Sequence, residues 1–325
     1  MNAKVLGLGR ALPNRAVENI ELEGVVETSD AWIRERTGIE RRHLSTGETT
    51  TDLATEAARR ALEDSGLAPE DLDLIIVATM TPDYFMPATA CLVQKNIGAH
   101  RAACFDLSAA CSGFVYGLSV AHHFIRSGGS QNVLVIGAET LSRSVDWTDR
   151  TTCVIFADGA GAMVLGASTD EGVIRCTLGA RGDDQNILST KAPGLQNFLL
   201  AGKPLEDDPG PYMKMDGQTV FRFSTKIVGE SIRETLKGTG YSLGDLDWVV
   251  PHQANTRIVD YAASRLKLDR SKFFMNVQTT GNTSAASIPI ALAEMKEKDV
   301  LHSGDLVMLT GFGGGLTWGS ALIRF

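Results

Sequence analysis

Three side chains far apart in the 325-residue sequence could together do covalent chemistry. Cys111 lies in Ser108-Ala109-Ala110-Cys111-Ser112-Gly113, between the strand-like Phe105-Asp106-Leu107 and the apolar, helix-like run Phe114–Ala121. A cysteine at such a strand-to-helix turn sits near a helix N-terminus, whose unpaired N–H groups and dipole stabilise a thiolate. A buried structural cysteine satisfies the same spacing. The other four, Cys91, Cys104, Cys153 and Cys176, read as core residues. His252 follows the apolar strand Trp248-Val249-Val250 and Pro251, at the carboxyl end where α/β sheets hold functional groups. His122 and His123, late in the helix after Cys111, read as structural or exposed. Asn282 lies in Asn276-Val277-Gln278-Thr279-Thr280-Gly281-Asn282-Thr283-Ser284, read as another strand end leading through a turn to a helix. Alone, Gly281-Asn282 would be an ordinary turn or cap. Thr310-Gly311-Phe312-Gly313-Gly314-Gly315 lacks the Lys-Ser/Thr of a phosphate loop; it is either a tight turn or a source of backbone N–H groups for an oxyanion. Asp158-Gly159-Ala160-Gly161-Ala162 reads as a turn needed for packing.

The elements that must position these residues occur twice. Ala57–Leu62, Ser65-Gly66-Leu67 and Leu72-Asp73-Leu74-Ile75-Ile76-Val77 form an amphipathic helix, a glycine stop and a buried strand. Ser231–Leu236, Thr239-Gly240-Tyr241 and Leu246-Asp247-Trp248-Val249-Val250 repeat that grammar. The separation of Asp73 from Asp247 equals that of Gly137 from Gly311, two glycines that end matching apolar strands. Two matches at one offset indicate duplication, with halves at 1–170 and 171–325. Pseudo-two-fold symmetry would bring the helix starts near Cys111 and Asn282 to one cavity, with His252 beside it. Alternating short strands and helices predict layered α/β architecture. Residues 181–216, rich in Gly, Pro and Asp, read as an inserted loop.

Composition bounds the function. Hydrophobic residues are 43% and charged residues 22%, which excludes a disordered or fibrous chain. A net charge of −8 disfavours general nucleic-acid binding but leaves room for a local basic patch. No apolar run approaches the ~18–20 residues of a membrane span. Five cysteines without a CxxC motif indicate a reduced, cytoplasmic protein with no zinc-finger metal site.

Taken together, these segments resemble the thiolase-like condensing enzymes, and most closely the β-ketoacyl-acyl-carrier-protein synthase III family. The resemblance spans essentially the whole chain: Thr28-Ser29-Asp30-Ala31-Trp32-Ile33 with Arg36-Thr37-Gly38-Ile39, Ala109–Gly113, His252-Gln253-Ala254-Asn255, Gly281-Asn282-Thr283-Ser284 and Trp318-Gly319-Ser320-Ala321. It implies a duplicated five-layer (α-β-α-β-α) thiolase-like fold, a homodimer, and initiation of fatty-acid synthesis. An acyl-CoA, acetyl-CoA by family habit, would acylate Cys111. Decarboxylative condensation with malonyl-acyl carrier protein would then give 3-oxoacyl-carrier protein, CoA and CO2, with no cofactor beyond the CoA thioester substrate. The implied triad is Cys111, His252 and Asn282, and the implied oxyanion hole is the backbone N–H of Cys111 and Gly314. By the same resemblance Trp32, Arg36, Arg150, Gly217, Phe221 and Asn255 would bind CoA. Arg222, Arg257 and Arg265 would dock the acidic carrier protein, and Met86 and Phe312 would border the acyl pocket. Met86 stands before Pro87 where the family often has an aromatic residue, which opens the way to longer or branched starters.

Other readings are separable. A cysteine protease also orders Cys, His and Asn this way, but Cys111 lacks the local signature of that class. Degradative thiolases need a late second cysteine, and none follows Cys176. Elongating synthases carry a second histidine where this chain has Asn282. A secondary-metabolite synthase III-like enzyme and a non-catalytic scaffold are the remaining alternatives.

Overall fold

A computed structural model describes residues 1–182, 185–191 and 212–325. In space the first main sheet runs Asn2–Ala11, Asp158–Ser168, Asn132–Thr140, Leu74–Ala78, Ala103–Leu107. Its first two pairings are antiparallel and its last two parallel. The second runs Val173–Ala180, Thr317–Arg324, Leu306–Gly313, Trp248–Pro251, with the same succession of directions. Where the first sheet has its fifth strand, the second has a single parallel bridge from Val249 to Phe273.

The duplication holds at the level of register. Leu74 pairs with Val133, and Trp248 pairs with Val307. The step from Leu74 to Trp248 equals the step from Val133 to Val307, and both equal the offset read from the sequence. The 3-10 turns Ala110–Ser112 and Ser284–Ala286 keep it, as do the starts of the helices Gly113–Arg126 and Ser287–Glu297. Ala110 and Ser284 even share a left-handed backbone, φ 46° and 49°.

Five layers follow from burial on both faces of each sheet. Along Leu74–Ala78, Leu74 and Ile76 join the central core while Ile75 and Val77 face outward. The outward face is covered by Thr50–Ser65 and Thr89–Ile97. The former is started by a capping box between Thr49 and Asp52 and stopped at left-handed Gly66. In the second sheet Val250 faces the centre, while Val249 faces the helices Gly217–Leu236 and Thr256–Leu266. The helices that follow the two 3-10 turns form the middle layer, with Phe114, Leu118, Ile288 and Leu292 in one core.

The middle layer comes close to the sheets because glycine lets it. A Cβ on Gly137 would lie 2.2 Å from Ala285 O, and one on Gly311 would lie 3.0 Å from Ser112 Cα. Each half's glycine thus admits the other half's turn.

Three local expectations change. Residues 277–280 form a helical turn rather than a strand end, because the second sheet stops at the bridge to Phe273. Asp158–Ala162 begins a buried strand rather than a turn; its glycines serve packing, since a Cβ on Gly161 would lie 2.5 Å from Ile290 N. The inserted loop expected at 181–216 falls largely outside the described residues; within it, Leu188–Thr190 pairs antiparallel with Met213–Met215.

Gly137→Ala tests the close approach. Backbone meets the added methyl, so the variant should lose about 1–3 kcal/mol and melt several degrees lower. An unchanged melting temperature would contradict the contact.

Candidate active site

The Ala110–Ser112 turn presents Cys111 at the start of Gly113–Arg126, 6% exposed. The turn is tied down by Ser112 Oγ, which bonds Ala109 O at 2.7 Å, and by Thr317 Oγ1, which bonds the same carbonyl at 3.0 Å. Burial pushes the Cys111 thiol up to about 12; the Ser284 hydroxyl works against that rise, and a charge on Glu139 adds to it. A thiolate here therefore depends on local donors and the helix N-terminus.

Gly313 packs directly against Cys111. A Cβ there would stand 2.7 Å from Cys111 N, so only glycine permits the contact. Gly314, the expected oxyanion donor, borders the cavity on the far side of Cys111.

His252 is buried at the end of Trp248–Pro251, its N–H bonded to Thr310 O at 2.8 Å. Its Nδ1 lies 2.7 Å from Ser287 Oγ. That oxygen also accepts the Gln253 N–H at 3.3 Å, which leaves its own hydrogen for Nδ1. The arrangement assigns the His252 proton to Nε2, making the ring a neutral donor. Burial reinforces neutrality by lowering the His252 pKa to about 3. Asn282 is held by both backbone groups: its N–H bonds Ile155 O at 3.1 Å and its carbonyl accepts from Ala157 at 2.8 Å. Its Oδ1 accepts the Ser284 N–H at 2.9 Å, so Nδ2 remains to donate outward. Gln253 ties these two loops together. Its Nε2 donates to Pro251 O and Phe274 O, and its Oε1 accepts from Asn276 N and Val277 N.

Two cavities meet at Cys111. One, about 620 Å³, runs from Trp32 and Arg150 at its mouth to Cys111, His252 and Asn282. Arg150 lies 5.2 Å and Arg36 6.0 Å from the Trp32 ring centre. Arg36, Gly217, Phe221 and Asn255 line this channel, so the six residues expected at CoA share one cavity. The other, about 860 Å³, opens beyond the sulfur between Met80, Leu141, Phe156 and Leu188.

The remaining expected residues separate. Phe312 does not border the larger cavity. It lines the channel, 5.3 Å from the His252 ring, because its strand passes beside His252. Met86 stands 87% exposed on a tip outside both cavities of its own chain. Arg257 reaches the channel mouth over the Phe221 ring, at 5.4 Å. Arg222 and Arg265 are exposed on the two neighbouring helices, away from the channel lining. Among the described residues these three arginines form no ion pair within 4.0 Å.

Sequence reading missed Gln253's role, Ser287, Ser284 and Glu139. Ser287 could have been found, since it follows Gly113 by the repeat offset, at the matching helix start. Glu139, fully buried at the end of an apolar strand, left no spacing signal.

Among the described residues no cluster of three or more His, Cys, Asp or Glu is placed to hold a metal, and no helix is long and apolar enough to cross a membrane.

Comparison with known proteins finds similar sequences and structures along essentially the whole chain. Residues 105–182 match the family model described as 3-oxoacyl-[acyl-carrier-protein (ACP)] synthase III, and residues 236–325 match its C-terminal counterpart. A β-ketoacyl-[acyl-carrier-protein] synthase III of Clostridium tetani is 48% identical over 99% of this chain and 98% of its own. A crystal structure of 3-oxoacyl-[acyl-carrier-protein] synthase III from Aquifex aeolicus superposes with TM-score 0.92 at 44% identity, covering 99% of this chain and 100% of that one. The priming β-ketosynthase of the R1128 polyketide pathway superposes with TM-score 0.91 at 35% identity, covering 99% and 96%.

Nitrogen-resolved NMR checks the His252 tautomer. The native ring should carry its proton on Nε2 and stay neutral until the pH falls toward about 3. Ser287→Ala should let the Nδ1–H form appear. A ring that protonates near pH 6.5 would refute the assignment.

Proposed function

The chain belongs to the 3-oxoacyl-[acyl-carrier-protein] synthase III family, condensing acyltransferases of fatty-acid synthesis, and from that premise we propose that Cys111 takes an acyl group from an acyl-CoA and holds it as a thioester. The observation that carries this reading is the meeting of two cavities at one cysteine, beside two neutral donors. CoA lies in the channel, its adenine against Trp32 and Arg150, its pantetheine past Arg36, Gly217, Phe221 and Asn255. The Cys111 sulfur attacks the thioester carbonyl, and the N–H groups of Cys111 and Gly314 hold the resulting oxyanion. CoA departs, and the acyl chain lies in the larger cavity.

Malonyl-carrier protein then uses the same channel. Its acidic surface meets Arg222, Arg257 and Arg265, whose lack of ion-pair partners among the described residues supports the role. His252 Nε2–H and Asn282 Nδ2–H donate to the malonyl thioester oxygen as CO2 leaves and negative charge builds there. The enolate attacks the acyl-Cys111 carbonyl, forming 3-oxoacyl-carrier protein and freeing the thiolate. CoA is a substrate in this scheme, and no separate cofactor has a step.

The working unit is a homodimer. Tyr84, Phe85 and Met86, 60%, 85% and 87% exposed, form an apolar tip that a second copy would cover. Met86 would then border the partner's larger cavity. Its adaptability beside about 860 Å³ supports starters longer or more branched than acetyl. The sheets' strands fall in 2–168 and 173–324, which supports halves at 1–170 and 171–325. Five unpaired cysteines support a reducing, cytoplasmic setting. Similarity to the R1128 priming enzyme keeps a secondary-metabolite role as the second reading.

Intact-mass analysis after incubation with acetyl, medium-chain and branched acyl-CoAs should show one acyl adduct, absent in Cys111→Ser. No adduct from a folded dimer would overturn the CoA-primed reading. Asn282→Ala should acylate but decarboxylate malonyl-carrier protein roughly 100-fold more slowly or worse; normal decarboxylation would remove Asn282 from the mechanism. Arg257→Glu should raise KM for the carrier substrate several-fold and weaken its salt dependence, whereas an unchanged KM places docking elsewhere.

A further inference from the structure

The two N–H groups read as the oxyanion hole come from different surroundings. That of Cys111 sits in a seated turn, whereas that of Gly314 sits among glycines. Gly313 ends the strand Leu306–Gly313 and pairs with Thr317, where the strand Thr317–Arg324 begins. Gly314-Gly315-Leu316 is the whole loop between them. Gly315 holds φ at 130°. Glycine has more backbone freedom to lose than any other residue, so the chain itself gives the Gly314 N–H no fixed direction. Side chains are not available to stiffen the loop. A Cβ on Gly313 would lie 2.7 Å from Cys111 N, and one on Gly314 would lie 2.9 Å from Leu188 O.

The loop is held from its two ends. Leu316 exchanges both backbone hydrogen bonds with Arg181, at 2.7 and 2.8 Å. At the other end stand two hydroxyls. Thr317 Oγ1 lies 3.0 Å from Gly314 O and 3.0 Å from Ala109 O. Ser112 Oγ lies 2.7 Å from Ala109 O and 2.7 Å from Thr317 Oγ1. Each hydroxyl has one hydrogen to give. Ala109 O already accepts the Ser112 N–H at 3.2 Å. With the Ser112 hydroxyl hydrogen also on Ala109 O, that of Thr317 goes to Gly314 O, and both carbonyls are satisfied. Ala109 precedes the turn that carries Cys111. The hydroxyl pair therefore joins the two peptide segments that supply the two donors.

The matching turn does without this pair. At the repeat offset Ser112 corresponds to Ala286 and Thr317 to Arg143. Ser284–Ala286 is seated equally deeply without it, so packing of the turn does not require the hydroxyls.

We propose that Thr317 is a positioning residue for acyl transfer: through Gly314 O its hydroxyl sets the direction of the Gly314 N–H and its spacing from the Cys111 N–H. The inference rests on the reading of Cys111 as acyl acceptor and of these two N–H groups as its oxyanion hole. In that step the Cys111 sulfur bonds the acyl carbon, the bond from that carbon to the CoA sulfur breaks, and the Cys111 proton ends on the CoA thiol. Thr317 exchanges no proton and acts only through the Gly314 peptide. Malonyl decarboxylation places its negative charge on another oxygen, facing His252 and Asn282, and does not draw on Gly314.

Three assays on Cys111 and its surroundings separate this role from a general structural one. Thr317→Val keeps the branched shape and removes the hydroxyl. At saturating acetyl-CoA it should acylate Cys111 about 10–100-fold more slowly, with the half-saturating concentration within about twofold of wild type. Iodoacetamide alkylation of Cys111 and decarboxylation of malonyl-carrier protein without acyl-CoA should both stay within about twofold, since neither needs the Gly314 donor. Thr317→Ser should recover most of the acylation rate. Acylation by Thr317→Val at the wild-type rate, an equal fall in all three assays, or a Thr317→Ser variant as slow as Thr317→Val overturns the proposal. If Thr317→Val does not fold, Thr317→Ser and Thr317→Ala decide, because both lose the methyl group and only Ser keeps the hydroxyl. Ser should then acylate about tenfold or more faster than Ala, and equal rates refute the role. An acyl adduct missing from the wild type is a different result, which removes the acyl-acceptor reading and this proposal with it.

Discussion

Everything at the candidate active site depends on two stretches of backbone coming closer than side chains allow. The turn Ala110–Ser112 rests on Gly311 of the second sheet, and Ser284–Ala286 rests on Gly137 of the first. This exchange locks the halves together and brings two helix N-termini to one point between the sheets. The electrostatic benefit to a thiolate exists only because the turns are seated this deeply. The same depth excludes water, raises the thiol's pKa and keeps His252 neutral. Burial and reactivity are thus one problem, and the hydrogen bonds to Ser287, Ser284 and Gln253 are its local solutions.

Chemical asymmetry is laid over geometric symmetry. At equivalent positions stand Cys111 and Ala285, Ala110 and Ser284, Gly113 and Ser287, Gly313 and Glu139. One half supplies Cys111. The other supplies the hydroxyls and donors that orient around it. Ser287 illustrates the division: at the helix start where the first half has glycine, it fixes the tautomer of a histidine from the neighbouring strand. The second sheet's lost fifth strand belongs to the same divergence, since the chain there turns into the loop carrying Asn276 and Asn282.

Much of this was legible in the sequence because duplication writes itself as an offset. Gly137 and Gly311 mark the repeat in the sequence, and in the structure they seat the two turns. Cys111 and His252 were legible from their places at strand ends, and Asn282 from its place in the repeat. The strand expected near Asn276 was not there, since its apolar pattern serves loop burial rather than a ladder. Phe312 lines the channel and not the larger cavity, a placement the sequence does not carry, because sequence order says nothing of which face a strand turns toward a cavity. Glu139 leaves no signal for a related reason: nothing local distinguishes a carboxyl that ends a strand in solvent from one that ends it inside the core.

The junction of two chambers at a single sulfur has a consequence for molecules made to bind here. A small electrophile anchored on Cys111 has two directions in which to grow. Toward Trp32 and Arg150 it meets a channel rimmed by cations and aromatic faces, which favours flat or anionic extensions. Toward Met80, Leu141 and Phe156 it meets apolar walls, which favour alkyl extensions. Because the two walls share little beyond Cys111, Phe156 and Leu188, substitutions that reshape one chamber can leave the other's ligand preferences intact. Potency and selectivity of such compounds can therefore be adjusted on separate arms of one scaffold.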